Sequence, residues 1–461
     1  MIASNPPTPA LPAKRRFPPY LVPPSNTVFS ALKPAENVDV LQTLTFYMGL
    51  AVVFLMFSML HQIQSYVMHF KAYLLYVFGV PAMFGILVAG GVRRALNVKG
   101  VRTAYYWIGF GLWIFVVVPF STWHGGSFRT GLSYAKTGLL IFFAIAGLAV
   151  SWRQCRLVVQ CIGVAAIVNL LSARIFSHAN EEGRLQLDLG SVANANDFAA
   201  HLFITLPFLL LAAYGAKSVV LRGGALLGVA VGILVIFRTG SRGALLALTV
   251  DLLFVFFRGG MLQRIVVACF VPLTLVGVLL LVPDKLMQRI HSFSSSAAVS
   301  DVAAEAAESS AARAYLLKKG IEYTLQYPLV GVGPGQFGTY EGEHNMVVSG
   351  HGMWHGTHNS WVQASAECGI PGALLLLGGW VSSFLLLNRT YRMAKKRPDC
   401  RDIQQVTFCV MLAILGFCVA ITFLNFAYFF YGPAMGGLAI AIWRSANQEF
   451  DRRTPLAVRP A

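Results

Sequence analysis

Charge is what this sequence has least of. Only 12% of its 461 residues are Asp, Glu, Lys or Arg, about half the share of a soluble globular protein, which excludes a water-soluble enzyme with a charged shell. Acid is scarcer than base, 19 residues against 36, for a formal net charge of +17. Such an excess suggests nucleic acid only where it gathers on one face. Here it follows the short segments between apolar runs, so it reads as a membrane-topology signal and no nucleic-acid partner is expected. Cysteine is sparse as well. Cys155, Cys161, Cys269, Cys368, Cys400, Cys409 and Cys418 lie in apolar runs or beside basic segments, and no CxxC occurs, so no disulfide framework is indicated. No cleavable leader is expected either: after Lys14, Arg15 and Arg16 no apolar core begins until about residue 40. Residues 1–38 hold Pro6, Pro7, Pro9, Pro12, Pro18, Pro19, Pro23 and Pro24, the composition of a disordered tail, and the first span is expected to be an uncleaved anchor. No internal repeat is found.

What is present is apolar surface. Hydrophobic residues make up 56% of the chain and the mean hydropathy is +0.63. About twelve runs approach the 17–25 residues that a spanning helix needs, at 40–59, 72–91, 103–120, 134–150, 155–173, 196–214, 221–237, 241–257, 265–283, 371–388, 406–424 and 426–443. The expected fold is all-α, a polytopic membrane protein of about twelve transmembrane helices with one long periplasmic loop. Its segments are a cytoplasmic tail (1–38), helices one to nine (39–283), the loop (284–358), helices ten to twelve (359–445) and a second tail (446–461). With both termini cytoplasmic, about two thirds of the basic residues fall inside, including Arg389, Arg392, Lys395, Lys396, Arg397 and Arg401 in one segment. A multi-pass membrane protein would be oriented this way, with its chemistry on the outer face.

The long loop opens on the Ser/Ala-rich stretch Ser292–Ser300, then reads as a helix over Asp301–Tyr327 with an apolar face including Leu316, Leu317, Ile321 and Leu325. Pro328 ends that helix, and Gly331-Val332-Gly333-Pro334-Gly335 must form a tight irregular turn. A second outer loop, at about 175–195, carries Glu181, Glu182, Arg184 and Asp188.

Two constellations can carry chemistry. Arg238-Thr239-Gly240-Ser241-Arg242 joins the seventh and eighth spans on the outer side, where the charge bias makes arginine unexpected. Ser241 can cap the eighth helix and aim free N–H groups at the same spot, so arginine forks and a helix N-terminus together suit a phosphate. The alternative is two arginines snorkelling to lipid headgroups. The second constellation is His344, His351, His355 and His358, leading into Asn359-Ser360. A histidine beside an arginine-lined cavity can take a proton from a hydroxyl. His351, His355 and His358 have ligand-like spacings for zinc, but no nearby carboxylate or cysteine completes that site and the intervening glycines disfavour a helix presenting it, so no metal is assigned. For His344, His351 and His355, plain exposure on a loop is the ordinary alternative. Pro371 divides a short helix over 358–368 from the spanning helix behind it. Glu367, on the face opposite His358, reads as a structural partner for an arginine, and Asp251, mid-span, as a hydrogen-bonded packing group.

These residues resemble the O-antigen ligase superfamily, membrane glycosyltransferases that take glycans from an undecaprenyl-pyrophosphate carrier. The resemblance rests on His358-Asn359 followed by Gly369 and Gly372; on Asn196-Asp197-Phe198-Ala199; on Thr239-Gly240-Ser241-Arg242-Gly243; on Arg313; and on Pro328-Leu329-Val330-Gly331-Val332-Gly333 with Phe337. Together these cover about residues 180–375. The resemblance implies a metal-independent, inverting transfer of a glycan to lipid A core or a similar acceptor, with no cofactor. Arg238 and Arg242 would hold the pyrophosphate, His358 would act on the acceptor hydroxyl, and Arg184, Arg313 and Asn196 would contact phosphate or glycan. A polysaccharide polymerase of the same superfamily is the alternative activity, and a lipid-linked glycan flippase is the alternative of another class.

Overall fold

The computed structural model describes residues 40–98, 100–180, 183–188, 190–261, 263–265, 267–269, 272, 301–349 and 354–453. The N-terminal tail, residues 454–461, most of the ninth expected span, the Ser/Ala-rich start of the long loop, Glu181, Glu182 and His351 lie outside these residues, whereas 446–453, expected in the second tail, continue the last helix.

Helix dominates. The chain runs α1 (Val40–Phe57), α2 (Leu60–Met68), α3 (Leu74–Val88), α4 (Gly91–Leu96), α5 (Thr103–Val117), α6 (His124–Tyr134), α7 (Leu140–Leu148), α8 (Trp152–Ile175), α9 (Ala195–Gly215), α10 (Val219–Arg238), α11 (Arg242–Arg258), α12 (Asp301–Gln326), α13 (Phe337–Ser349), α14 (Ser360–Lys395), α15 (Arg401–Ala420) and α16 (Tyr431–Arg453). Among the described residues eight helices are long and apolar enough to cross a membrane, the signature of a polytopic membrane protein. Several expected runs differ in extent. The third helix is only 15 residues long. The run expected from residue 134 begins at His124, because a π-turn at Ala135–Leu139 joins α6 to α7 without a break. The fold is not purely helical either: the second outer loop folds into an antiparallel hairpin, β1 (Ser177–Ala179) with β2 (Leu185–Leu187).

The local sequence accounts for many helix ends. Ser151 and Gln154 form a capping box at α8, Asn194 caps α9, Ser241 caps α11 and Asn359 caps α14, each satisfying N–H groups that the first turn leaves open. At Gly369 helix α14 breaks, with φ 71° and ψ 177°. A Cβ there would stand 2.2 Å from the Leu329 carbonyl oxygen, and Ile370 N–H donates to the Pro328 carbonyl at 2.7 Å, so only glycine admits the loop this closely.

The long loop holds two helices, α12 as expected and α13, which the sequence reading did not foresee. The glycine turn between them uses positive φ at Gly331, Gly333 and Gly335. Glu367 organises that turn: its carboxylate accepts from Gly335 N–H at 2.9 Å and Phe337 N–H at 3.2 Å. The residue is buried and structural, as expected, but these partners are backbone amides at the start of α13 and not the guanidinium anticipated. Asp251 is buried against α15, where a Cβ on Gly416 would meet its Oδ2 at 2.5 Å, and its Oδ1 finds no hydrogen-bond partner among the described residues. Packing therefore holds, whereas the hydrogen-bonded role is only partly met.

Candidate active site

A cavity of about 500 Å³ lies where α9, α11, α12 and α15 meet the strap leading into α14. Asn196, Arg242, Arg313 and His358 all line it, together with Gly240, Ser241, Thr357 and Asn359. Leu246, Leu317, Phe423 and Leu424 make its apolar surface. Four of the six residues singled out in the sequence are thus brought together from positions 162 residues apart in the chain, since Asn196 and His358 are its extremes (358 − 196 = 162).

One wall is built on the α10–α11 turn. Gly240 takes φ 61°, and the Ser241 hydroxyl accepts from Ala244 N–H at 3.4 Å, so α11 begins at the cavity with its N-terminal dipole directed there. Arg184, on the hairpin, supports this wall from behind. Its Nε donates to the Thr239 carbonyl at 2.8 Å and its Nη2 to Asn196 Oδ1 at 2.7 Å, while its own N–H is held by Asn180 Oδ1 at 2.8 Å. With 6% of its surface exposed, Arg184 is not among the lining residues; it fixes one that is, Asn196, and the Thr239 carbonyl just before the lining turn Gly240–Ser241. Arg238 ends α10 on the far side of the turn, exposed and outside the lining. The chain reversal at Thr239–Ser241 separates the two arginines that sequence adjacency had paired.

The opposite wall is the strap Gly356–Asn359. His358 adopts φ 48°, a left-handed conformation uncommon for a residue with a side chain. The strap is fastened by Asn425, whose Oδ1 accepts from His358 N–H at 2.8 Å and from the Thr357 hydroxyl at 3.2 Å. A Cβ on Gly356 would stand 2.4 Å from the Asn425 amide nitrogen, so the amide packs directly on the strap backbone. Ser360 extends the fastening, donating to the Leu424 carbonyl at 2.7 Å and accepting from Phe426 N–H at 2.8 Å. Burial pushes the His358 imidazole down to about 4, with Arg313 and then His355 adding positive charge nearby. At neutral pH the ring is therefore uncharged and can accept a proton.

The remaining histidines differ. His344 stacks on Tyr340 with ring centroids 5.6 Å apart, and both His344 and His355 are exposed and outside the lining. Among the described residues no three His, Cys, Asp or Glu side chains gather in a metal-binding group. Sequence reading missed Asn425, Thr357 and Thr422. The signal was available for Asn425: an amide inside the apolar run Leu424–Phe426 has to find a partner.

In chemical terms the cavity sets two cationic forks and a helix N-terminus opposite a neutral imidazole, next to an apolar surface. That combination can hold an anion with a hydrocarbon attachment and accept a proton beside it. Compared with known proteins, residues 227–377 match the family model described as O-Antigen ligase. That stretch contains Arg238, Arg242, Arg313 and His358, while Arg184 and Asn196 lie before it. No curated protein matches the chain.

Proposed function

The chain carries an O-antigen ligase domain and belongs to that superfamily, and from this premise we propose that it transfers a glycan from undecaprenyl pyrophosphate to a hydroxyl of lipid A core or a similar acceptor. The observation that carries this reading is the shared cavity of Arg242, Arg313, the α11 N-terminus and the uncharged His358. Arg242 and Arg313 hold the pyrophosphate, and the first-turn N–H groups of α11 complete its cradle. His358 takes the proton of the acceptor hydroxyl as that oxygen attacks the anomeric carbon. The bond from that carbon to the phosphate oxygen breaks, with inversion, and undecaprenyl pyrophosphate leaves with its new negative charge held by the guanidinium groups. Because the sugar arrives activated on its carrier, the step draws on no nucleotide, metal or cofactor. Arg184 acts through Asn196 and Thr239, and Arg238, exposed and outside the cavity lining, is assigned to lipid headgroups instead of the substrate.

The reaction is placed on the periplasmic face of a bacterial inner membrane, with both termini cytoplasmic, on the strength of the basic segment 389–401 at the other end of α14 from His358. Cysteines introduced at the exposed positions 343 and 396 test this: an impermeant thiol reagent should label 343 and spare 396 in intact cells, and the reverse pattern removes the proposed face. For the activity itself, purified protein is given lipid-linked glycan and lipid A core. Glycan recovered on the core supports the ligase. Longer glycan still on the carrier would identify a polymerase, and lipid movement across vesicles without product a flippase.

A further inference from the structure

Helix α12 divides into three arcs around its axis. Leu316, Gly320 and Tyr323 are buried, with Tyr323 against Phe337 at 5.7 Å between centroids and a Cβ on Gly320 only 2.6 Å from Val362. A polar arc carries exposed Lys318 and the Lys319–Glu322 ion pair at 3.0 Å. Between them runs an apolar arc of Leu317, Ile321 and Leu325, which at 100° per residue spans about 80°. Leu317 lines the cavity, while Ile321 and Leu325 are 49% and 72% exposed. Leu329, just past the helix, is 69% exposed.

We propose that this arc lies in the hydrocarbon of the membrane surface, so that α12 is an interfacial helix and its apolar face is the side from which lipid reaches the cavity. Two observations favour lipid over a protein partner. The arc is continuous, through Leu317, with a cavity whose other rim bears the exposed apolar side chains Leu246 (47%), on α11, and Phe423 (40%), at the end of the candidate membrane span Pro398–Phe423. Next to the arc stands Lys318, a cation on a flexible stem that reaches headgroup phosphates while its neighbours are immersed, the composition of a helix lying in the interface plane. Left in water, three large aliphatic side chains in a row would be an unexplained cost. The inference needs only the membrane-spanning helices and holds whether or not the transfer reaction does.

The test uses the full-length chain with Cys269→Ser, which removes the exposed native thiol, and single nitroxides attached to cysteines placed at 318, 321 or 325. In nanodiscs of phosphatidylcholine and phosphatidylglycerol, electron paramagnetic resonance saturation compares collisions with oxygen, which concentrates in hydrocarbon, against a water-soluble nickel chelate. Oxygen should dominate at 321 and 325, and the nickel chelate at 318. Nickel dominance at 321 and 325 would place the arc in water. Low access to both reagents there would mean that protein, another segment or a second copy, covers it. Either result overturns the proposal.

Discussion

The two walls of the cavity are held in place by opposite means. The arginine wall relies on charge: a buried guanidinium, Arg184, fixes the Thr239 carbonyl and Asn196, and Arg242 stands at a helix N-terminus whose dipole adds to its own field. The histidine wall relies on neutral groups, with one amide, Asn425, and two hydroxyls, Thr357 and Ser360, clamping a strap whose key side chain is kept uncharged by burial. The difference matches the two parts that the proposed reaction assigns to these walls. Holding an anion needs permanent positive charge in a poorly solvated place. Accepting a proton needs a base that is not already protonated, held in one orientation.

Breaking the histidine wall at its centre should have the largest effect. His358→Ala should lower transfer by about 10²–10⁴-fold, the usual cost of losing a general base, with protein level and donor binding nearly unchanged. Near-normal turnover of purified His358→Ala would end its catalytic assignment. Next comes the arginine wall: Arg242→Lys keeps the charge but not the fork, and should cost on the order of 10²-fold in turnover. The exposed Arg238→Lys should stay close to wild type, because it does not line the cavity. If the two variants behave alike, headgroup snorkelling explains both arginines.

A smaller effect is expected from the clamp. Asn425→Ala removes the acceptor for His358 N–H and the Thr357 hydroxyl, a loss of about 1–1.5 kcal/mol of positioning and so about tenfold in kcat, with KM for the donor little changed. Asn425→Asp keeps the acceptor and should recover part of the loss; a change in donor KM alone would instead move Asn425 to the binding side. Arg313→Gln sharpens the comparison through pH. The base must be neutral, so kcat/KM should rise with pH through about 4 in the wild type and level off above it. Removing a positive charge lets His358 protonate more easily, so the acid limb should move to higher pH in this variant. Smallest of all are His344→Ala and His355→Ala, exposed outside the cavity lining, which should keep substantial activity.

Much of this site could be read from the chain. Caps and breaks are local physics, so Ser241 before α11, Asn359 before α14 and the division near Pro371 needed only short-range rules. Arg184 and Asn425 were harder, because their work is done on partners 55 and 67 residues away in the chain. Arg238 lies outside the cavity lining for the same reason in reverse: neighbours in sequence were separated by a chain reversal that composition does not show.

Helices α10 and α16 show where the division falls. Val219–Arg238 is among the most hydrophobic of the spanning helices, at a mean hydropathy of 2.4, yet only 11% of its apolar window is buried in protein. Tyr431–Arg453 does not qualify as a spanning helix by hydropathy, but it is buried without a break from Tyr431 to Trp443. Its Gly437 lies against α7, where a Cβ would stand 2.7 Å from the Phe142 carbonyl oxygen. Hydropathy measures what a segment can present to lipid, which is why the sequence by itself determined a polytopic helical membrane protein and the kinds of residue that could hold an anion and take a proton. Which helix is central, which arginine faces the cavity and which amide holds the histidine depend on close packing and hydrogen bonds between distant segments, and only the tertiary structure decided those.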